Sequence, residues 1–93
     1  MKKYILINVF ERELGSSQVF DTAVAAMEAM VNTVAEIMEM EPEVILETIK
    51  EFEEYADADV CEVKKTSAWV NGRTGNTDLW IIELDTETWG CIV

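Results

Sequence analysis

Residues 3–10, Lys-Tyr-Ile-Leu-Ile-Asn-Val-Phe, are apolar almost without a break. A β-branched and aromatic run of this kind predicts a strand covered on both faces and central in its sheet. A turn is expected over Glu13-Leu14-Gly15-Ser16-Ser17, with Gln18-Val19-Phe20 as a short return strand. The spacing then changes. Asp21 stands where a helix N-cap belongs. Ala23, Met27, Met30, Val31, Val34, Ile37 and Met38 recur at three and four residues, which is one apolar face of an amphipathic helix reaching to about Met40. Pro42 opens a second helix, since proline suits the first helical position, and Glu41 and Glu43 flank it where the helix dipole favours negative charge. Its apolar positions are Ile45, Ile49, Phe52 and Ala56, and the pattern fades near Tyr55-Ala56-Asp57.

The remainder reads as β. Val60-Cys61-Glu62-Val63 and Ser67-Ala68-Trp69-Val70 form one long or interrupted strand, and Leu79-Trp80-Ile81-Ile82-Glu83-Leu84 is the return. Between them Asn71-Gly72-Arg73-Thr74-Gly75-Asn76 is dense in turn residues. With Thr74-Gly75 at the tip, Trp69 falls opposite Trp80 and Val70 opposite Leu79. Asp85-Thr86-Glu87-Thr88 is a further turn, and Trp89-Gly90-Cys91-Ile92-Val93 a last short strand. No repeat, linker or low-complexity segment interrupts the chain, and its 93 residues suffice for one domain, 1–93. The expected fold is α+β: an antiparallel sheet of three to five strands with two helices packed on one face, in the order β-α-α-β-β.

Charge changes the picture. There are 19 acidic and 7 basic residues and no His, a net charge of −12, yet the hydrophobic fraction is 49%. An apolar set this rich argues against a disordered acidic tail. Direct binding to nucleic acid or to an anionic membrane is disfavoured, whereas a basic protein surface is attracted. Simple solubility is the competing explanation of the charge. No apolar stretch approaches a membrane span, and the initial Met1–Ile7 run is too short for a secretory signal. The expected location is cytoplasmic.

Enzymatic machinery is not legible. Without His the commonest general base is missing, and Cys61 and Cys91 have no evident activator. Those cysteines form no CxxC pair and no zinc spacing. Both a disulfide and two buried thiols fit them, the buried thiols better. Asp57 and Asp59 could pair for acid–base work, but a domain of this length rarely builds the cleft such a pair needs. Tyr55-Ala56-Asp57-Ala58-Asp59 resembles half of a calcium loop, without the glycine and final glutamate of that pattern. Gly72-Arg73-Thr74-Gly75 lacks the lysine and helix of a phosphate loop. The expectation is no catalytic residue, no metal and no cofactor.

The strongest local signal is acidic. From Glu36 to Glu62 there are eleven carboxylates and one basic residue, Lys50, a net −10 over 27 residues. Glu43, Glu47 and Glu51 lie four apart and stack on one helix face, where like charges repel. Only Glu47–Lys50 and Lys50–Glu54 are placed to offset this. A solvated helix face accounts for the row; so does a strip of carboxylates that imitates phosphates. On the second reading Glu43, Glu47, Glu51, Glu54, Asp57 and Asp59 form the partner-binding surface. Met27, Met30, Met38 and Met40 fit a plain core or an adaptable groove.

The order of elements resembles small acidic proteins of phages and other mobile elements in Gram-positive bacteria. The likeness rests on the opening Lys2-Lys3-Tyr4-Ile5-Leu6-Ile7, the Phe20-Asp21-Thr22-Ala23 entry into a Met-rich helix, and the closing Asp78-Leu79-Trp80-Ile81-Ile82-Glu83. That pool includes anti-CRISPR and anti-restriction inhibitors, some of which present acidic surfaces. The resemblance implies a non-enzymatic inhibitor of a basic, nucleic-acid-binding effector, and it transfers no residue role by position. The alternative is a structural or homo-oligomeric module, such as a homodimer, with Trp89 and an exposed strand edge as its contact.

Overall fold

The computed structural model describes residues 2–57, 60–72 and 75–85. Its elements are β1 (Lys2–Phe10), β2 (Glu13–Phe20), α1 (Ala23–Met38), α2 (Pro42–Phe52), β3 (Glu54–Asp57), β4 (Cys61–Lys64), β5 (Ser67–Gly72) and β6 (Gly75–Asp85). All strands join one antiparallel sheet of six, in the spatial order β2-β1-β6-β5-β4-β3. The α+β class holds. The expected three to five strands and β-α-α-β-β order do not: the order is β-β-α-α-β-β-β-β.

Each discrepancy has a local cause. The first turn is Glu11-Arg12, not the Gly-Ser segment after it, because Phe10 pairs with Glu13 across a two-residue connection. Both turn residues have positive φ, 50° and 70°, the pattern of a type I′ hairpin normally built from Asn and Gly. The glycine is absorbed into β2 instead. The register slips between Asn8 and Val9, so Asn8 faces Ser16 and Val9 faces Leu14, leaving Gly15 as a bulge. A Cβ there would lie 3.3 Å from the Asn8 carbonyl oxygen.

The helix ends also moved. Thr22, not Asp21, caps α1, its hydroxyl accepting the Ala25 N–H at 3.1 Å; the Asp21 carboxylate meets the Lys3 ammonium. Helix α2 stops at Glu53, which takes a left-handed conformation (φ 66°) and donates its N–H to the Ile49 carbonyl at 2.8 Å. The chain therefore leaves the helix before Tyr55-Ala56-Asp57, and Glu54–Asp57 pairs with β4 as an edge strand. Residues 60–70 make two hairpin-linked strands, not one interrupted strand. In the next hairpin Gly72 pairs with Gly75, so Trp69 faces Asp78 and Trp80 faces Ser67. The expected Trp69–Trp80 pairing is replaced by a diagonal one on the same face. The expected strand Trp89–Val93 lies outside the described residues.

Helix α1 packs on β1, β6 and β5, and α2 on β3 and β4. Both lie on one side of the sheet. From that side Leu6, Leu79, Ala68, Val70, Cys61 and Val63 meet Met30, Val31, Val34 and Ala35 of α1 and Ile45 and Ile49 of α2. A Cβ on Gly72 would come within 2.9 Å of Ile37 Cγ2, so the end of β5 runs close beneath α1. The slab spans 43 × 31 × 16 Å, two layers thick.

Burial predicts where substitutions hurt. Leu79 is fully buried, and Leu79→Ala should cost about 2–5 kcal/mol by urea unfolding. Val24, 60% exposed on α1, should accept Val24→Ser within about 0.5 kcal/mol. Arg12→Gly removes a non-glycine residue from the left-handed region and should raise stability by about 1 kcal/mol.

Candidate functional site

Helix α2 turns Ile45 and Ile49 into the core, so the opposite side of its cylinder carries Glu43, Glu47 and Glu51. All three are exposed, and among the described residues none forms an ion pair. Lys50 flanks this ridge, also without an ion pair to a described carboxylate. Helix α1 behaves alike: with Met30, Val31 and Val34 buried, Glu28 and Glu36 occupy its outward side. The outer surface of the helical layer is thus a broad anionic sheet of carboxylates with one ammonium. Glu36 and Glu51 lie near helix C-termini, where negative charge opposes the dipole by about 0.3–1 kcal/mol each. Folding stability does not explain their placement.

The six residues singled out from the sequence do not form one strip. Glu43, Glu47 and Glu51 share the α2 ridge. Glu54 sits in β3 opposite Lys64, and pairing alternation turns it to the helix-free side of the sheet. Asp57 is exposed at the other end of β3, opposite Cys61, on the helix side. Asp59 lies outside the described residues. The strip broke because α2 is shorter than its apolar pattern: the last turn of that pattern is strand. For the same reason Lys50–Glu54 is not a helical pair.

The sequence reading missed the sheet's other face. Because Leu6 and Leu79 point under the helices, Ile5, Ile7 and Val9 of β1 and Trp80, Ile82 and Leu84 of β6 point away from them. Val19 pairs with Ile5, and Leu14 with Val9, which extends the surface over β2. Trp69 extends it over β5. Leu14 is 70% exposed, Val19 64%, Trp80 44% and Ile82 43%. The run over residues 3–10 predicts a strand covered on both faces; among the described residues both helices lie on the same side, and on the other Ile5, Ile7 and Val9 are only half-buried. A shallow depression of about 230 Å³ opens there between Trp69, Trp80, Ser67 and Asp78, rimmed by the Lys64–Glu62 ion pair at 3.1 Å.

Among the described residues, the layer between sheet and α2 holds two shifted titratable groups, Cys61 and Tyr55. Cys61 is buried as a free thiol. Burial pushes it above its ordinary value, the nearby Asp57 charge adding to the effect. Burial also raises the Tyr55 phenol, followed by Cys61 and Asp57; its hydroxyl points to the Met40 sulfur at 3.8 Å. A thiol held neutral in this way is a poor nucleophile. The half calcium loop is not a loop over Tyr55–Asp57, which is strand β3. Among the described residues no three His, Cys, Asp or Glu side chains gather as a metal-holding group, and no helix is long and apolar enough to cross a membrane.

No family model matches the chain, and no curated protein or solved structure does either.

The two raised groups bind their protons more tightly folded than unfolded. Their contribution is complete below the ordinary thiol value of 9.0 and is lost as pH rises through the raised values. Lys2, raised by its hydrogen bond and charge pairing with Glu83, has the same sign. The thermal midpoint should therefore hold between neutrality and pH 9.0 and decline beyond it. A midpoint unchanged through pH 10.0 contradicts this.

Proposed function

We propose that this chain is a non-enzymatic protein-binding module, an inhibitor or regulator that occupies the basic nucleic-acid-binding surface of a partner protein. Its carboxylates stand in for phosphates. One observation carries the reading: Glu43, Glu47 and Glu51 form an outward ridge at four-residue spacing, exposed and without ion pairs to described residues. Along a helix that spacing is about 6 Å per carboxylate, against about 3.4 Å per phosphate along one strand of a duplex. The α2 ridge alone is therefore a dilute imitation. Glu28 and Glu36, on a helix whose axis lies about 8–10 Å away, add a second row and bring the charge density closer to that of nucleic acid. The module would act in the cytoplasm, where nucleic-acid-handling effectors work. The resemblance to small acidic proteins of phages and other mobile elements, anti-CRISPR and anti-restriction inhibitors among them, points to the same role.

Two measurements check this reading. The immobilised chain should capture basic proteins from an extract of its source cells and release them to added salt and to duplex DNA. Glu43→Lys/Glu47→Lys/Glu51→Lys should capture none of them, and capture of the same set by this variant contradicts the proposal. The single change Glu47→Lys turns two repulsive four-residue pairs into attractive ones but sets like charge against Lys50, so it should raise stability by about 0.5 kcal/mol while weakening capture. A gain in stability with undiminished capture would identify the ridge as a merely solvated surface.

A further inference from the structure

Independently of what the helices meet, we propose that the helix-free face of the sheet is a homodimer interface. Two copies stack sheet on sheet, making an α-β-β-α particle with both acidic helical layers outside.

The local pattern is the first support. Strand β1 carries Ile5, Ile7 and Val9 on one side and Tyr4 and Leu6 on the other, the composition of a strand with both faces covered. Its own chain covers one face among the described residues. Strand β6 repeats this, with Trp80 and Ile82 against Leu79 and Ile81.

Size is the second. Four adjacent strands, β2-β1-β6-β5, share the apolar surface. At about 4.8 Å between strands and about 3.3 Å per residue over the nine residues of β1, it measures about 19 by 30 Å in projection. The accessible area of such a side-chain surface exceeds its projection, and the flanking strands β4 and β3 continue the plane. The whole face, an apolar centre with a polar and charged margin on β5, β4 and β3, thus reaches the about 800 Å² per partner of a standard stable interface.

Charge selects the occupant. A two-fold interface sets a surface against itself. The helical layer fails that requirement, since carboxylates would face carboxylates. The sheet face meets it better: its centre over Ile5, Ile7, Trp80 and Ile82 is uncharged, Lys3 is paired with Asp21 and Glu62 with Lys64 at 3.1 Å, and Asp78 and Glu54 stand toward its margins. Stacking through this face also keeps the acidic layers of the two copies apart, separated by two sheets packed about 10 Å from each other. Any partner of the helices would then meet the same ridge on opposite poles of one particle.

The test is molar mass measured by light scattering and sedimentation from micromolar to near-millimolar concentration. The full chain should approach twice its 10.6 kDa as concentration rises. Ile82→Lys should remain at the monomer mass throughout. Ile82 is 43% exposed and lies on the third strand from the β2 edge, beyond the reach of edge-to-edge pairing. Unchanged circular dichroism would verify its fold, and Trp80→Lys, at a 44% exposed position on the same strand, serves if Ile82→Lys fails to fold. Glu43→Lys/Glu47→Lys/Glu51→Lys should stay dimeric, which separates this interface from the ridge. A full-length chain that is monomeric at every concentration overturns the proposal, and assigns the face to another protein or to residues 86–93 of the same chain. A dimer that survives Ile82→Lys overturns it too, in favour of pairing through β2.

Discussion

Alternation along a strand is the constraint that organises this molecule. Successive side chains point to opposite faces of the sheet, and the chain's two helices both pack on one of them. Met30 and Val34 of α1 and Ile45 and Ile49 of α2 share one buried core with Leu6, Leu79, Val70, Cys61 and Val63 of the sheet. Once those contacts fix which residues look inward, Ile5, Ile7, Trp80 and Ile82 must look outward. A strand rich in apolar residues on both sides is then half-used by its own fold. Among the described residues no third layer finishes the job in this slab 16 Å thick.

The same division sorts the charge. Helix positions that face the core are aliphatic, so the acidic surplus of the middle segment is displaced to the outer helical surface. Part of it sits where it costs stability: Glu36 and Glu51 oppose helix dipoles, and Glu43, Glu47 and Glu51 repel along their ridge. Among the described residues, the ion pairs Lys2–Glu83, Lys3–Asp21, Lys64–Glu62 and Lys65–Glu53 lie away from that ridge. The molecule consequently offers two surfaces of opposite chemistry, one anionic and one apolar, with the packed core between them. Neither needs a deep pocket, and each is suited to a macromolecular surface.

The helices were legible in the sequence because their signals are periodic and local: Ala-rich three-and-four spacing for α1, Pro42 with Ile45 and Ile49 for α2. The strands were less so, for specific reasons. Glu11-Arg12 makes a turn with positive φ at both residues, and nothing in those residue types announces it, so Gly15-Ser16-Ser17 drew the turn to itself. Glu53 ends α2 in a left-handed conformation without a glycine, which hid β3 inside an apparent helix tail. The ridge Glu43, Glu47, Glu51 was readable from spacing alone; Glu54 and Asp57 were attached to it only through that false tail. The helix-free sheet face had a signal as well. A strand apolar on both sides, beside two helices that both pack on one of them, is a pattern that points to that second face.

The central claim is that one face of the sheet is sealed by the helices and that none of the other described residues seals the second. The direct test is methyl NMR with a soluble paramagnetic probe at low protein concentration. Val34, Val70 and Leu79 methyl signals should be protected, while those of Val19, Leu14 and Ile82 should be strongly attenuated and regain protection only as concentration rises. Equal protection of Ile82 and Leu79 at the lowest concentration would contradict the account.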